Sequence, residues 1–336
     1  MTTLYLTEPG SVVRYHNETL QVKRGEQLTT VRLAEVEVVL IFPGVQLTDV
    51  VIRVFLEWGI ETIFLGRDGR FQGRLQGQFA TNPLLRLAQY RLLETTVGMA
   101  LAQRLVWGKV RNQRLLLQRR YRDTGKKINV LAEAIDVMGA YCLQLRSVET
   151  PKSREELMGI EGICARHYYQ ALRHWFPEQW QFTGRNRRPP RDPINALLSW
   201  GYGVLLARIF TVTVQVGLDP YLGFFHALQP YRPNLVLDLM EEFRPVLVDK
   251  AVINLVRSGV LDPLDFEVSP DGEGVWLGLT AKRLLIRELE MLLQSYLLYP
   301  PQGRRFKLSQ IMLEQGRCIG RCLMDLSVEY QPFILD

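Results

Sequence analysis

The apolar residues of this chain recur with two different periods, and the change between them falls near residue 80. Before it, short apolar stretches alternate with polar residues or run continuously, which is typical of β-strands. From Leu84 onward the period is about 3.6 almost to the end, as amphipathic helices require. A chain of 336 residues is long enough for about two domains. We therefore predict an α+β fold: a small N-terminal β-rich domain at residues 1–78, a linker at 79–84 and a larger all-α domain at 85–336.

The same periodicity places the individual elements. Short strands are expected at Leu4–Leu6, Val12–Tyr15, Thr19–Val22, Val31–Leu33, Val36–Phe42, Thr62–Leu65 and Phe71–Leu75, with one helix that begins after Thr48. Helices are expected at about residues 83–107, 110–122, 126–147, 152–175, 193–216, 219–227, 234–257, 280–299 and 307–325. A small hairpin is expected where Phe266–Val268 faces Val275–Leu277 across a turn at Asp271–Gly272.

The excess positive charge lies on one side of the boundary near residue 80. Residues 1–80 carry 8 Lys and Arg against 9 Asp and Glu, whereas the remainder carries 33 basic residues against 26 acidic ones. A charge concentrated in one domain in this way fits a polyanionic partner. The helical domain is therefore the part of the chain that we expect to bind nucleic acid.

Other sequence features point to a cytoplasmic protein without a membrane span. No N-terminal stretch combines a basic start, an apolar core and a small-residue cleavage site, so we expect no signal peptide. The most apolar segment, Ala196–Leu218, is interrupted by Arg208 and is interpreted as a buried helix. The four cysteines are too scattered for a disulfide framework and complete no zinc-binding pattern, so we expect reduced, buried thiols.

Two runs of basic residues are candidates for contact with phosphate. The segment Arg104–Lys127 carries nine basic residues and one acidic residue, and such a one-sided run repels itself unless counter-ions are present. The second run, Arg185, Arg187, Arg188 and Arg191, lies in a loop rich in glycine and proline. No glycine-rich phosphate-binding loop accompanies either run, which favours a phosphodiester chain over a nucleotide. The alternative is an ordinary solvated helix face.

A histidine and nearby acidic residues form a candidate metal site. His226 follows Gly223-Phe-Phe, and Asp238 and Glu241 lie three residues apart on a predicted helix, with Glu242 next to them. Such a set suits Mn²⁺ or Mg²⁺, although acidic residues at this spacing are also typical of a solvated helix face. Elsewhere, Gly159 and Gly162 flank Glu161 inside a helical pattern. Since each costs about 1 kcal/mol in a helix, we expect another helix or a ligand to approach closely there.

The sequence resembles the CRISPR-associated integrase of spacer acquisition, the universal first Cas protein, which is also described as an endonuclease. The motifs that carry the resemblance are Lys109–Gln113, Gly159–Gly162, Arg191–Ser199, Gly201–Gly203, Gly223–His226 and Asp238–Pro245. Together they are highly specific and extend over nearly the whole chain.

The resemblance implies a metal-dependent DNA integrase. Glu161, His226 and Glu241 would bind Mg²⁺ or Mn²⁺, with Asp238 as a neighbouring catalytic acid. The metal would activate a phosphodiester of the CRISPR repeat for attack by the 3′-hydroxyl of a captured DNA. The candidate DNA-contacting residues are Lys109, Arg111, Arg114, Arg119, Arg120, Arg166, Tyr168, Arg185, Arg187, Arg188, Arg191 and Arg244.

The resemblance also implies partners and leaves two alternative functions open. The expected partners are DNA, a second copy of the chain bound through the β-rich domain, and the second CRISPR-associated adaptation protein. The first alternative is a nuclease that cuts branched DNA in repair. The second is a non-catalytic DNA-binding scaffold with the same fold. A metal titration would distinguish the integrase from the scaffold. Competition between linear and branched DNA with a free 3′-end would distinguish the integrase from the repair nuclease.

Overall fold

The structure, a computed structural model, describes residues 3–77, 82–187, 189–269 and 272–335. The chain divides into two compact units, Met1–Thr81 and Asn82–Asp336. Parts of the sequence predictions lie outside the described residues, namely 79–81 of the linker, the DNA-binding candidate Arg188, and Asp271 of the predicted turn. Pro83 and Leu84, which the sequence assigns to the linker, lie in the first helix of the second unit. Proline suits that first turn because no helical hydrogen bond needs its missing N–H.

The first unit contains two four-stranded sheets. The strands and the single α-helix in its described part are β1 (Thr3–Leu6), β2 (Val12–His16), β3 (Thr19–Arg24), β4 (Gln27–Arg32), β5 (Val38–Ile41), β6 (Gln46–Leu47), α1 (Asp49–Glu57), β7 (Glu61–Leu65) and β8 (Phe71–Leu75). One sheet has the order β1-β5-β7-β8, with only the β7–β8 pair antiparallel. The other has the order β4-β3-β2-β6, in which β2, β3 and β4 form an antiparallel meander and β6 runs parallel to β2.

The core of the first unit lies between β5 and α1. All four residues of β5 are buried, because this strand lies between β1 and β7, and this explains its continuously apolar sequence. Helix α1 buries Val51, Val54 and Phe55, which fall on one face at spacings of three and one residues. These side chains pack with Val13 and Leu20 of the second sheet in one apolar cluster.

The second unit is mostly helical. Its helices are α2 (Pro83–Leu92), α3 (Thr96–Asp123), α4 (Asn129–Arg146), α5 (Arg154–Leu172), α6 (Pro193–Val216), α7 (Asn234–Met240), α8 (Lys250–Ser258), α9 (Leu279–Leu293) and α10 (Leu308–Met324). Two antiparallel hairpins accompany them, β9 (Phe266–Val268) with β10 (Val275–Leu277) and β11 (Tyr296–Tyr299) with β12 (Arg304–Lys307). The β-rich and then helical order confirms the predicted fold class.

Helix α6 forms the centre of this unit. Its residues are apolar on all sides and almost all are buried, which is the pattern of a helix that other elements surround. Among the described residues it is the one helix with the length and hydropathy of a membrane span. However, 89% of that apolar window is buried inside the protein. Helices α3, α4 and α5 pack against one another, and α3 also contacts the turn that follows α7.

The helix predicted at 234–257 is interrupted where α7 ends. The chain passes through a 3₁₀ turn at Glu241–Phe243 and a π-helical stretch at Arg244–Asp249 before α8 begins. Pro245 explains the change, because its ring excludes the carbonyl of Glu241 four residues earlier and its nitrogen has no proton to donate. The interruption places Glu241 at the end of one helix rather than in the middle of a longer one.

Two other predicted helices have wrong bounds, and a third does not form. The helix expected at 83–107 breaks at Leu93–Thr95, where the Thr95 side chain caps α3, and α3 then continues through the gap predicted at residues 108–109. No helix forms at 219–227, because a buried carboxylate binds the backbone N–H groups there. The predicted helix at 280–299 ends at Leu293, and β11 follows it.

Candidate active site

The structure brings Glu161 and Glu241 together on the side chain of Lys109. Glu161 lies on α5, whose start is fixed by a reciprocal capping box between Ser153 and Glu156. The Lys109 ammonium donates to Oε1 of Glu161 and lies 2.6 Å from Oε2 of Glu241. Lys109 is only 5% exposed, so the cation is enclosed with the two carboxylates. Two acidic residues that are far apart in sequence therefore meet at one buried positive charge.

The charges around Glu241 keep its carboxylate ionised. Burial alone would raise the pKa of Glu241, but the positive charges of Arg244 and Lys109 outweigh burial and lower the pKa to about 2. The Arg244 guanidinium lies 3.3 Å from Oε1 of Glu241. Burial would lower the pKa of Lys109, yet Glu241 and Glu161 raise it above its usual value. At neutral pH Glu241 is therefore ionised between the charged side chains of Lys109 and Arg244.

Asp238 holds the loop that carries His226. Its carboxylate accepts hydrogen bonds from the backbone N–H groups of Phe224, Phe225 and His226 at 2.6, 2.8 and 3.0 Å. It also contacts Nδ1 of His226 at 2.6 Å. A Cβ at Gly223 would lie 2.7 Å from Oδ2 of Asp238, so only glycine allows this close approach. Asp238 is fully buried and occupied by these contacts, which suits orienting the imidazole better than binding a metal itself.

His226 lies near Glu241 with one ring nitrogen turned to Asp238. Its charged form contributes to the lowered pKa of Glu241, and its side chain is 20% exposed. With Nδ1 directed at Asp238, Nε2 is the nitrogen that stays available for another ligand. Across the residues that the structure describes, no three His, Cys, Asp or Glu side chains are gathered closely enough to hold a metal ion. The ammonium of Lys109 separates the two glutamates instead.

Tyr168 lies in a buried network behind this cluster and cannot contact DNA directly. It is completely buried, and its hydroxyl donates to Oδ2 of Asp249 at 2.6 Å. The Tyr202 hydroxyl donates to Oδ1 of the same carboxylate at 2.5 Å. The Arg244 guanidinium lies over the Tyr202 ring, 4.7 Å from its centroid. The prediction that Tyr168 touches DNA is therefore wrong, since Tyr168 is buried and its hydroxyl binds Asp249.

Glu242 faces away from the cluster and binds the segment 325–335. Its carboxylate accepts hydrogen bonds from the Tyr330 hydroxyl at 2.9 Å and from the Phe333 backbone N–H at 3.0 Å. Asn112 of α3 donates to the backbone carbonyls of Glu242 and Phe333. Burial raises the pKa of Glu242 to about 8 despite these donors. Glu242 is thus held by α3 on one side and by the segment 325–335 on the other.

The glycines beside Glu161 do not pack against another helix. Gly159 and Gly162 are exposed, and a Cβ added at either position would meet nothing within 4 Å. The expectation that another helix approaches these two glycines closely is therefore wrong. An open strip of backbone runs along α5 beside Glu161, and Arg166 is exposed on the same helix.

Several of the predicted DNA-binding arginines are tied to the protein. Arg114 donates to the carbonyl of Ile135, and Arg120 donates to that of His174. Arg185 donates to Oδ1 of Asn195 at 2.7 Å and to the Ser199 hydroxyl. Lys109 and Arg244 are occupied by Glu161 and Glu241. Of the other described candidates, Arg111 and Arg119 are half-buried, and the side chains of Arg166, Arg187 and Arg191 are exposed; Arg119 also interacts with the protein.

Comparison with known proteins decides the family. The family model described as CRISPR associated protein Cas1 matches residues 4–291, most of the chain. This chain belongs to the Cas1 family. It is 33% identical to the protein named CRISPR-associated endonuclease Cas1 1 from Moorella thermoacetica, over 99% of this chain and 98% of that protein.

Solved structures share the Cas1 fold over the whole chain. A casposase bound to its integration product superposes with a TM-score of 0.85 at 23% identity, over 99% of this chain and 93% of that one. A chain of a Cas6-RT-Cas1–Cas2 complex superposes with a TM-score of 0.83 at 24% identity, over 99% of this chain and 36% of that longer chain. At these identities the likeness is one of fold.

Sequence reasoning missed three parts of the Cas1 site. Lys109 was expected to bind DNA, although its neighbours Val106, Gly108 and Val110 already suggested a buried helix face. Asp249 belongs to none of the motifs, although a carboxylate after the apolar run Val246–Val248 is unusual and needs a partner. The contact between Glu242 and Tyr330 has no sequence signal, because the two residues belong to separate elements.

Proposed function

We propose that this chain is a divalent-metal-dependent DNA integrase and endonuclease that inserts short foreign DNA into a CRISPR array. The observation that supports this most is the meeting of Glu161 and Glu241 at one buried cation position, with His226 beside Glu241. Membership of the Cas1 family supports the same reaction class, since its relatives carry the name of endonuclease. The active-site residues proposed are Glu161, His226 and Glu241, with Asp238 as the residue that orients His226.

The donor atoms fit Mg²⁺ or Mn²⁺. Carboxylate oxygens from Glu161 and Glu241 and Nε2 of His226 are ligands that hard or borderline divalent cations accept. The two carboxylates already face a cation, the Lys109 ammonium, so their placement suits a positive charge. A bound metal would polarise the scissile phosphate and orient the attacking oxygen. Its entry requires that the Lys109 ammonium leave the space between the carboxylates.

The reaction is a phosphodiester exchange. The oxygen of a DNA 3′-hydroxyl forms a new bond to phosphorus while the bond from phosphorus to the 3′ oxygen of the repeat strand breaks. The attacking hydroxyl loses a proton, and the departing oxygen takes one up. Asp238 holds the imidazole of His226 in one orientation, and Arg244 holds Oε1 of Glu241, so both side chains are set before DNA arrives. When water attacks instead, the same exchange is hydrolysis and the protein acts as a nuclease.

The DNA backbone is proposed to approach along the open strip of α5. Gly159 and Gly162 leave space beside Glu161, and Arg166 follows on the same helix. Arg187 and Arg191 are exposed in the loop before α6 and line a shallow polar cleft there. Arg111 and Arg119 of α3 are further candidates. The tied side chains of Arg114, Arg120 and Arg185 are proposed to shape this surface rather than to move onto DNA.

The remaining proposals concern partners and location. A second copy of the chain, bound through the first unit, and the second adaptation protein are proposed as partners. The fold is shared with a chain of a Cas6-RT-Cas1–Cas2 complex, which supports that second proposal. We also propose a cytoplasmic location, because a CRISPR array and the DNA inserted into it are cytoplasmic substrates.

Strand transfer from a labelled short duplex into supercoiled plasmid tests the proposed reaction. The assay compares the wild type with Glu161→Gln, His226→Asn and Glu241→Gln in Mn²⁺ and in Mg²⁺. Glu155→Gln is the matched control, because Glu155 is an exposed glutamate on the same helix as Glu161. We expect joined products from the wild type and the control and none from the three site variants. A donor with a 3′-deoxy end should yield no joined product from any of them.

Three results would contradict the proposal. DNA binding without joining or cutting, even with the second adaptation protein added, would leave only the scaffold function. Cutting of branched DNA without use of the donor 3′-hydroxyl would favour the repair nuclease. Joining that persists in Glu161→Gln and Glu241→Gln would place the active site elsewhere.

A further inference from the structure

We propose that Lys109 is a built-in counter-ion that holds the metal site together before a divalent cation arrives and competes with that cation for the same oxygens. The inference rests on the proposed function, because it assumes that Glu161 and Glu241 bind a divalent cation. It assigns Lys109 a positioning role rather than the DNA contact that its sequence motif suggested.

The first support is that Glu241 and His226 each have a separate partner for the atom that does not face the cation. Arg244 lies at Oε1 of Glu241, so Oε2 is the oxygen directed toward Lys109. Asp238 lies at Nδ1 of His226, so Nε2 is left over. The Lys109 ammonium therefore contacts the oxygens that are not already held by a neighbour. Those oxygens are the ones that a metal would use.

The second support is the electrostatic cost of a site without Lys109. Glu241 is almost completely buried and Glu161 is three-quarters buried, and both carboxylates face the same point. Two enclosed carboxylates at such short range repel each other unless a cation lies between them. The ammonium removes that repulsion and keeps the two helices in the arrangement seen here. The site is thus preformed without metal.

The third support is that a divalent cation and the ammonium cannot share the position. Both are positive, and at a separation of a few ångströms in a buried site their repulsion is large. The lysine side chain has a flexible four-carbon stem, so its ammonium can move away while α3 stays in place. Metal binding is therefore an exchange of one cation for another. Its observed affinity is lower than the carboxylates alone would give.

Metal binding to the free protein tests this exchange. The variant Lys109→Met keeps an unbranched side chain that is one heavy atom shorter and removes the charge, and Lys127→Met applies the same substitution at an exposed lysine. Mn²⁺ affinity is measured by isothermal titration calorimetry on the full chain without DNA, and melting temperatures are measured in EDTA and in Mn²⁺. We expect Lys109→Met to bind Mn²⁺ about ten-fold or more tightly than the wild type. It should melt lower than the wild type in EDTA and gain more from Mn²⁺. Lys127→Met should match the wild type.

Further variants keep the inference testable. Adding Glu161→Gln to Lys109→Met should remove the gain in affinity, because the gain requires the carboxylate that the ammonium covered. If Lys109→Met does not fold, Lys109→Gln takes its place, since its neutral amide can donate hydrogen bonds where methionine cannot. A folded neutral variant that binds Mn²⁺ no more tightly than the wild type overturns the counter-ion role alone. If neither the wild type nor the variant binds Mn²⁺, the proposed metal site fails together with this inference.

Discussion

The carboxyl group of Asp249 is expected to make this protein more stable in mild acid than at neutral pH. Asp249 is 1% exposed and accepts hydrogen bonds from the hydroxyls of Tyr168 and Tyr202. Burial is the largest influence and raises its pKa from 3.8 to about 6, although the two tyrosine donors and Arg244 oppose it. The folded protein therefore holds a proton on Asp249 in a pH range where the unfolded chain has released it.

The size and sign of the effect follow from this difference in pKa. A group whose pKa is higher in the folded state adds stability that is complete below about pH 4 and is lost as the pH rises through about 6. A shift of about two pKa units corresponds to roughly 3 kcal/mol in the free energy of unfolding. Glu242, whose pKa is raised to about 8, acts in the same sense, whereas the lowered pKa of Glu241 adds stability that is lost in acid. The comparison must therefore be made against a variant that differs only at Asp249.

The assay measures urea unfolding of the wild type and of Asp249→Asn at several pH values between 4 and 7. Asparagine does not titrate. The free energy of unfolding of Asp249→Asn, relative to that of the wild type, should therefore rise by about 3 kcal/mol as the pH rises through this range. Tyr168→Phe removes a hydrogen bond that favours the charged carboxylate, so it should raise the pKa of Asp249 further. The stability that depends on Asp249 should then be lost at a higher pH than in the wild type. A difference between Asp249→Asn and the wild type that is constant with pH would refute the reasoning.

Three further predictions concern other parts of the molecule. Asp238→Asn removes the charged acceptor that orients His226, and we expect strand transfer to fall about 10–100-fold with an unchanged circular dichroism spectrum. Tyr330→Phe removes the hydroxyl bound to Glu242 and should lower the free energy of unfolding by about 1–3 kcal/mol, so an unchanged urea midpoint would contradict the anchoring role. The double substitution Arg187→Gln, Arg191→Gln should reduce the slope of log affinity against log salt by up to about 2 for duplex DNA. Glu155→Gln should leave that slope unchanged.

Much of the fold could be predicted because hydrophobic period is a local property. The continuously apolar stretch of β5 and the spacing of the valines in α1 are enough to predict that these residues are buried. The interruption at Pro245 was also readable in principle, since proline four residues after Glu241 cannot continue an α-helix. The loop at 219–227 was not, because the buried Asp238 that organises its backbone lies on another element.

The candidate site was predictable in its residue types but not in its contacts. Glu161, His226 and Glu241 were identified by their motifs, and the structure brings the two glutamates together at Lys109. The apolar neighbours of Lys109 indicate a buried helix face, but they do not identify Glu161 and Glu241 as its partners, because those residues lie on other elements. The sequence also does not show that Tyr168 is buried, since a tyrosine near a motif can lie on either face of its helix.

Under the proposed exchange of cations, the charges of the site would link metal binding to DNA binding. Without metal, Lys109 and Arg244 balance Glu161 and Glu241. Replacing a buried ammonium with a divalent cation adds positive charge to an enclosed space, and the displaced ammonium stays on α3 close by. A phosphodiester is an anion and would offset that surplus. The strip beside Gly159 and Gly162 gives it access to Glu161. If the exchange occurs as proposed, a DNA backbone on this strip should offset the added charge, so we expect DNA to raise the affinity of the site for Mn²⁺.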